Sequence, residues 1–250
     1  MIEVSHLTRM YGVRAAVKDL SFTVEDGQIY GLLGPNGAGK STIMNILAGY
    51  LAATSGTVTV CGHPLPEEAA AARACIGYLP ETPPLYPEMT VEEYLRFAAA
   101  LKGVRRGERA AQVEQAARRT GLAGVMPRLI RNLSKGYRQR VGIAQALLGS
   151  PSIIILDEPT VGLDPAQVIE IRRLIQQLGK SHTVILSSHI LSEVQAVCTR
   201  VLILSHGQLA ASGDLASLTA GGSLEERFLE LTGGESEEES ITGTGEEDAT

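Results

Sequence analysis

The sequence predicts an α/β domain built around a mostly parallel β-sheet. Four short, nearly continuous apolar runs support this prediction, at residues 29–33, 153–156, 184–186 and 201–204. Strands have unbroken apolar runs when helices cover both faces of a parallel sheet, because every side chain is then buried. Segments with helical periodicity separate these runs, which favours alternating strands and helices over an all-β or all-α domain.

Alternating segments near the amino terminus predict a smaller antiparallel sheet beside this core. Leu20, Phe22 and Val24 alternate with polar residues, and residues 56–60 (Gly-Thr-Val-Thr-Val) form a second alternating run. A period of two is typical of strands with one buried and one solvent-facing side. We therefore expect an N-terminal antiparallel β-subdomain.

Helix signals occupy much of the remaining chain. Asp164 followed by Pro165 predicts the N-cap and first residue of a helix. Thr90 and Glu93 have the spacing of a capping box, in which the two residues satisfy each other's backbone N–H groups. Residues 84–150 contain only helical patterns, so we expect a helical subdomain inserted into the α/β core.

The charge distribution predicts a nearly neutral body and an acidic tail. The net charge is −6, but residues 231–250 carry seven acidic groups and no lysine or arginine. No basic stripe is present, which argues against a nucleic-acid partner. The segment 233–250 cannot bury enough apolar surface to offset its chain entropy. We expect this tail to be disordered and solubilising, with a partner-binding role as the alternative.

Composition also bears on where the protein acts. The three cysteines lie far apart without a CxxC pair, which is typical of reduced thiols in a cytoplasmic protein. The first residues lack the pattern of a secretory signal. The apolar runs are far shorter than the roughly 20 residues that span a bilayer. The chain is therefore expected to be cytoplasmic and cannot itself form a channel.

A phosphate-binding motif follows the first apolar run. Residues 34–41 read Gly-Pro-Asn-Gly-Ala-Gly-Lys-Ser and precede a helix predicted over 42–48. Backbone N–H groups of such a loop point at one anion, and the helix N-terminus adds its positive dipole. Lys40 would bind the β- and γ-phosphates and Ser41 would ligate Mg²⁺. We assign ATP binding to Gly34, Pro35, Asn36, Gly37, Ala38, Gly39, Lys40, Ser41 and Thr42.

Two adjacent carboxylates follow the apolar run 153–156. Because ligands bind at the carboxyl edge of a parallel sheet, Asp157 and Glu158 are expected at that edge. Successive side chains of a strand point to opposite sides, so the two carboxylates can have different roles. We assign Mg²⁺ binding to Asp157 and activation of the attacking water to Glu158.

A third motif makes the predicted function more specific. Residues 132–140 have the sequence Asn-Leu-Ser-Lys-Gly-Tyr-Arg-Gln-Arg. They resemble the LSGGQ signature of the ATP-binding cassette (ABC) family. Ser134 is predicted to be a helix N-cap, and Gly136 leaves backbone N–H groups accessible to an anion. The resemblance covers about residues 1–215 and implies a P-loop NTPase core. It also implies a dimer in which Ser134, Gly136 and Asp164 contact the ATP held by the sister subunit.

Further stretches are similar to the same family. Residues 162–164 resemble its D-loop, and His189 resembles the switch histidine that contacts the γ-phosphate. Tyr11 resembles the aromatic residue that stacks on adenine. The resemblance thus implies catalytic roles for Glu158 and His189, with ATP and Mg²⁺ as the bound ligands.

The sequence departs from the family pattern at three positions. Lys135 and Tyr137 stand where glycine and glutamine are usual, and Glu81 stands where the Q-loop carries glutamine. Glu81 can reach Mg²⁺ as a ligand, its charge can oppose closure of the site, or it can be solvated without effect on the metal. These departures are similar to export-type cassettes, as is the segment 223–231, part of a helical extension expected over 216–232.

The predicted activity is ATP hydrolysis that drives export through a separate transmembrane permease. The chain carries one set of motifs, so we expect a homodimer, bound peripherally to the inner face of the cell membrane through the permease. The alternative is a soluble ABC ATPase without a transport role, such as a cofactor-assembly factor. A nucleotide-binding scaffold without turnover is disfavoured by the intact set of Lys40, Asp157, Glu158 and His189.

Overall fold

The computed structural model of the protein describes residues 1–233. All but the first residue of the predicted acidic tail, residues 234–250, therefore lies outside the described part. None of the helices in residues 1–233 combines the length and the apolar character needed to cross a membrane.

Ten strands form two sheets in the described chain. The strands are β1 Ile2–Tyr11, β2 Arg14–Val24, β3 Ile29–Leu33, β4 Ser55–Val60, β5 His63–Leu65, β6 Ile76–Leu79, β7 Ile153–Leu156, β8 Thr183–Ser188, β9 Arg200–Ser205 and β10 Gln208–Asp214. The smaller sheet is antiparallel, in the order β2-β1-β4-β5, and the larger has the order β10-β9-β3-β8-β7-β6. Only β10 runs antiparallel in the larger sheet. The predicted fold class is confirmed.

Helices connect the strands of the larger sheet. They are α1 Lys40–Leu47, α2 Ala69–Ala74, α3 Val91–Leu101, α4 Arg109–Arg119, α5 Lys135–Leu147, α6 Pro165–Gly179, α7 Leu191–Val197, α8 Leu215–Leu218 and α9 Leu224–Thr232. Two 3₁₀ turns, Ala123–Val125 and Ile130–Asn132, lie between α4 and α5. Helices α3 to α5 therefore occupy the connection between β6 and β7.

The two faces of the larger sheet pack into two separate cores. In β7, Ile154 and Leu156 join the core formed with α3 to α7, while Ile153 and Ile155 join the core shared with α1 and the antiparallel sheet. All four side chains are fully buried. Burial on both faces explains why this strand has no polar alternation in the sequence.

Local capping interactions match the sequence pattern. Thr90 and Glu93 form the expected capping box, and the Asp164 side chain accepts a hydrogen bond from the Gln167 N–H at 2.9 Å. The helix after the phosphate loop begins at Lys40, two residues earlier than predicted. Gly39 adopts a left-handed conformation (φ 100°) as the N-cap, so helical backbone begins at the next residue.

Helix α5 approaches strand β6 very closely. A Cβ atom on Gly77 would collide with the carbonyl oxygen of Ala146, so this contact requires glycine. The side chain of Gln145 donates to the carbonyl of Tyr78 at 2.8 Å in the same region. These contacts hold the inserted helices against the edge of the sheet, close to the loop that carries Glu81.

Candidate functional site

A cleft of about 650 Å³ opens at the carboxyl edge of the larger sheet. Parallel strands end at the same edge, so the loops after β3, β6, β7 and β8 converge there, facing the β1–β2 hairpin. The cleft is lined by Tyr11, Arg14, Ala16, Asn36, Gly37, Gly39, Lys40, Ser41, Thr42, Glu81, Glu158, Val161 and His189.

The phosphate loop has the backbone shape that anion binding requires. Gly37 and Gly39 have φ angles of 81° and 100°, values that side-chain-bearing residues rarely adopt. A Cβ on Gly39 would also lie 2.6 Å from the carbonyl oxygen of Ala16. Helix α1 starts directly behind the loop, so its free N–H groups and positive dipole end face the cleft.

Lys40 is the cation of the cleft floor. Its side chain is only 7% exposed, and Nζ donates to the carbonyls of Gly34 at 2.8 Å and Pro35 at 3.2 Å. Burial lowers the pKa of Lys40, while the negative charges of Glu158 and Asp157 oppose that shift. A partly dehydrated ammonium held this way interacts strongly with an incoming anion.

Asp157 and Glu158 are joined by one buried hydroxyl group. Ser187 Oγ donates to Asp157 Oδ1 at 2.6 Å and accepts the Glu158 N–H at 2.8 Å. Ser187 is fully buried, and the two acidic residues are 3% and 8% exposed. Because water has little access, this hydroxyl is a main source of polar stabilisation for the end of β7.

Glu158 has a strained backbone and two basic neighbours. Its φ is 46°, a conformation that costs a non-glycine residue about 1–3 kcal/mol. One carboxylate oxygen lies 2.9 Å from Nδ1 of the His189 imidazole, and the other lies 3.9 Å from Nζ of the Lys40 ammonium, which is the charged one of the two partners. Since a carboxylate accepts, Nδ1 carries the hydrogen, which leaves Nε2 of His189 for other contacts.

The predicted metal ligands offer an oxygen-rich pair. Ser41 Oγ lies 3.3 Å from Asp157 Oδ1. Within residues 1–233, no group of three histidine, cysteine, aspartate or glutamate side chains is placed to hold a metal ion by itself. A hydroxyl and one carboxylate fit Mg²⁺, which binds few protein ligands and completes its octahedron with phosphate oxygens and water. Glu81 lines the same cleft as an exposed side chain.

Tyr11 lies at the rim of the cleft with half of its surface exposed. The guanidinium of Arg9 lies 4.9 Å from the centre of the ring. A cation over one face of an aromatic ring is favourable. The Arg9 contact also supports the ring in the orientation seen at the rim.

Seven predicted site residues do not line this cleft. Gly34, Pro35, Ala38 and Asp157 belong to the segments that form it, whereas Ser134, Gly136 and Asp164 lie at the beginnings of two other helices. Ser134 caps α5 by accepting the Tyr137 N–H, Gly136 is the second residue of α5, and Asp164 caps α6. A Cβ on Gly136 would lie 2.5 Å from the side-chain oxygen of Gln167, so the beginnings of α5 and α6 pack directly together.

Lys135 adds a contact between the same two regions. Its ammonium group lies against Gly162, in the loop between Glu158 and α6. The signature-like segment and the D-loop-like segment are therefore neighbours on one surface of the chain.

Several residues that the structure places at the site have no assigned role in the sequence-based prediction. Arg14 and Val161 line the cleft, Ser187 bonds both acidic residues, and buried Glu193 accepts from Ser188 Oγ at 3.2 Å and from Thr160. Ser187 and Ser188 are the last two residues of the buried strand β8, directly after its apolar run. Buried hydroxyl groups at that position were an available signal for polar contacts at the sheet edge. No local pattern marks Arg14 or Glu193.

The fold and the cleft define a P-loop nucleoside triphosphatase. A family model described as ABC transporter matches residues 17–161. The chain belongs to this family and is an ATP-binding, ATP-hydrolysing subunit of an ABC transporter.

Curated relatives agree with this assignment. The ABC transporter ATP-binding protein NatA of Bacillus subtilis is 41% identical over 206 residues, covering 81% of this chain and 83% of NatA. The Nod factor export ATP-binding protein I of Paraburkholderia xenovorans is 36% identical over 220 residues, covering 88% of this chain and 72% of that protein.

Solved structures show the same fold. An ATP-binding subunit of an ABC transporter superposes with a TM-score of 0.83 at 32% identity, covering 92% of this chain and 99% of that one. The cassette MJ0796, solved as a dimer, has a TM-score of 0.78 at 26% identity, with coverages of 86% and 99%. A second structure of MJ0796 holds ADP and phosphate after hydrolysis, at 25% identity, a TM-score of 0.78 and the same coverages.

We predict that Ser187→Ala lowers both stability and ATP turnover. The substitution leaves buried Asp157 without its short hydrogen bond, which typically costs about 1–3 kcal/mol, and it frees the strained Glu158 backbone. Urea denaturation and phosphate release measure the two effects. Ser188→Ala is the comparison, because that buried hydroxyl serves Glu193. A larger loss of turnover in Ser188→Ala than in Ser187→Ala would contradict the assignment.

Proposed function

We propose that this chain works as a homodimer that hydrolyses ATP to drive export through a separate membrane permease. The observation that carries the catalytic part is the meeting of Lys40, Glu158 and His189 in one cleft. The cleft thus combines a phosphate-binding cation, a carboxylate base and an imidazole, which phosphoryl transfer to water uses.

Each of these side chains has a proposed role in hydrolysis. Lys40 turns from the carbonyls of Gly34 and Pro35 to the β- and γ-phosphates. Glu158 orients the attacking water and accepts its proton, and His189, held through Nδ1, directs Nε2 to the γ-phosphate. Tyr11 stacks on the adenine ring.

Ser41 and Asp157 would hold Mg²⁺, with Glu81 at the edge of its site. The bound ion would neutralise charge on the phosphate oxygens. The Ser187 hydroxyl holds the Asp157 carboxylate, and the same oxygen Oδ1 lies 3.3 Å from Ser41 Oγ, so the two proposed ligands are already neighbours. The oxygen-only donor set supports Mg²⁺ over a softer metal.

The proposed dimer follows from the residues that lie outside the cleft. Ser134 and Gly136 begin α5, where unsatisfied backbone N–H groups favour an anion, yet neither lines the cleft of its own chain. We infer that they, with Asp164, contact the ATP of the sister subunit. The dimeric structure of the similar cassette MJ0796 supports this arrangement.

A second groove supports a permease as the partner. It has a volume of about 590 Å³ and lies between α2, β6 and α3. Tyr50, Tyr86 and Leu101 line it with exposures of 69%, 51% and 72%, and the Phe97 ring contacts Tyr86 edge-on at 5.6 Å. Exposed clustered aromatic residues are typical of protein–protein contact sites. We propose that a cytoplasmic segment of the permease binds in this groove.

The direction of transport and the location of the protein at the membrane are also proposals. The name of the Nod factor relative states export, and the departures at Glu81 and Lys135 resemble export-type cassettes. A cassette docked on a permease would sit at the inner face of the cell membrane. The similar cassette cbiO1 from Clostridium perfringens is described as part of the ABC transporter complex cbiONQ, which supports assembly with partners. Its structure has a TM-score of 0.80 at 29% identity and covers 88% of this chain and 90% of that one.

Glu158→Gln is expected to bind ATP but to lose turnover by about 10²–10⁴-fold, since the positioned base is removed. The trapped ATP should also stabilise a dimer, seen as a larger species by size-exclusion chromatography with ATP. Lys40→Ala serves as the contrast, because it should lose nucleotide binding itself. Near-normal phosphate release by Glu158→Gln would refute the role of this carboxylate.

Glu81→Gln tests how the exposed carboxylate acts on the metal. If its charge opposes site closure, the variant should need less Mg²⁺ for half-maximal turnover, or show raised turnover at the same requirement. We expect this outcome because Asp157, Glu158 and the phosphates already crowd the site with negative charge. A several-fold higher Mg²⁺ requirement in a magnesium titration would instead make Glu81 a metal ligand.

Leu101→Glu tests the proposed permease groove. A buried charge there should prevent binding to the proposed permease, measured by co-purification of the two proteins. The isolated variant should keep normal ATP turnover, because Leu101 is exposed and lies outside the nucleotide cleft. Leu229→Glu, on exposed Leu229 of α9, is the matched control. Equal binding by both variants would place the permease elsewhere.

A further inference from the structure

The tip of the β1–β2 hairpin brings two different side chains together at the nucleotide cleft. Tyr11 and Arg14 are cross-strand partners across the short turn of Gly12 and Val13. Directly opposed residues in a hairpin have neighbouring side chains on the same side of the sheet. Arg14 therefore lies beside the ring of Tyr11, at the rim of the cleft.

Arg14 also reaches the phosphate loop. It lines the same cleft as Lys40 and Thr42. One terminal nitrogen of its guanidinium lies 4.0 Å from the position that a Cβ would take on Gly37. Gly37 is a left-handed residue of the loop, and the exposed Arg14 guanidinium stands beside the loop backbone while Lys40 is buried in the same cleft.

No acidic side chain neutralises Arg14 in the described chain. Within residues 1–233 it takes part in no side-chain hydrogen bond or salt bridge, although Glu81 and Glu158 line the same cleft. Other arginines on strands or helices, such as Arg140 and Arg200, pair with carboxylates. A guanidinium beside an anion-binding loop is complementary to a phosphate group, with which it can form paired hydrogen bonds.

We propose that Arg14 binds the phosphate chain of ATP, so that the hairpin tip holds the nucleotide at both ends. Tyr11 contacts the base, and Arg14 contacts the phosphates from the hairpin while Lys40 contacts them from α1. This inference rests on the proposed assignment of Tyr11 and the phosphate loop to ATP. Under this proposal, the Arg14 contact makes the affinity of the site depend on the number of phosphates of the nucleotide.

The test is an equilibrium binding measurement on the full chain. Wild type, Arg14→Gln and Arg14→Lys are titrated with a non-hydrolysable ATP analogue and with AMP, each at low and high salt. We expect Arg14→Gln to weaken binding of the analogue by about tenfold, the scale of one charge-assisted contact. AMP binding should change much less. The salt dependence should also decrease, because one cation fewer contacts the anion, and Arg14→Lys should retain part of the affinity.

Lys18→Gln is the matched control, because Lys18 is an exposed cation of the same strand that does not line the cleft. It should bind both ligands as wild type does. Equal losses of affinity in Lys18→Gln and Arg14→Gln would mean that the effect comes from the overall charge of the protein and not from a direct contact of Arg14. Equal losses for the analogue and AMP would point to a disturbed hairpin. Either result, or an unchanged affinity in Arg14→Gln, would overturn the proposal.

Lys40→Ala separates failure of this inference from failure of the proposed site. If wild type does not bind the analogue, or Lys40→Ala binds it equally well, the nucleotide site itself is wrongly assigned, and the Arg14 proposal is overturned with it. If Lys40→Ala loses binding while Arg14→Gln does not, only the role of Arg14 is wrong. Circular dichroism of each variant verifies that the fold is retained.

Discussion

Two carboxyl groups are buried side by side at the end of β7, and buried polar groups are costly unless other groups hydrogen-bond to them. The hydroxyl of Ser187 meets this requirement by donating to Asp157 and accepting from the backbone of Glu158. It comes from the neighbouring strand β8, so the pairing of β7 with β8 decides where both acidic residues point. The positions of the predicted metal ligand and the predicted base therefore depend on one interstrand contact.

The same arrangement explains the strained backbone of Glu158. A φ of 46° turns its side chain toward Lys40 and His189, away from the course of the strand. The strain is balanced by the hydrogen bond from its N–H to Ser187, by the hydrogen bond from His189 and by the nearby ammonium of Lys40. Such strain is retained where surrounding contacts over-determine a conformation. Here the conformation places a carboxylate beside the phosphate loop.

The surface of the protein separates into regions with different chemistry. The nucleotide cleft concentrates charge and glycine, while the groove between α2, β6 and α3 is rich in exposed aromatic side chains. The loop after β6 carries Glu81 into the nucleotide cleft, and Tyr78 of the same strand lines the groove. Strand β6 is thus a short physical connection between the ATP site and the proposed permease site.

Features that depend on near neighbours in the chain could be predicted from the amino-acid sequence. The phosphate loop, the Thr90–Glu93 capping box and the unbroken apolar strand before Asp157 are such features, because their interactions span a few residues and leave a readable pattern. The start of α1 was misplaced by two residues, since the left-handed Gly39 also serves as a cap.

Tertiary packing brings together residues that lie far apart in the chain. The Ser187 hydroxyl joins Asp157 across 30 residues of chain, Arg14 reaches Gly37, and Lys135 packs on Gly162. It also placed Ser134 and Gly136 outside the cleft of their own chain. These contacts are set by strand order and by the packing of α5 on α6. Neither leaves a periodic signal, because the energy of such contacts depends on three-dimensional proximity and not on spacing along the chain.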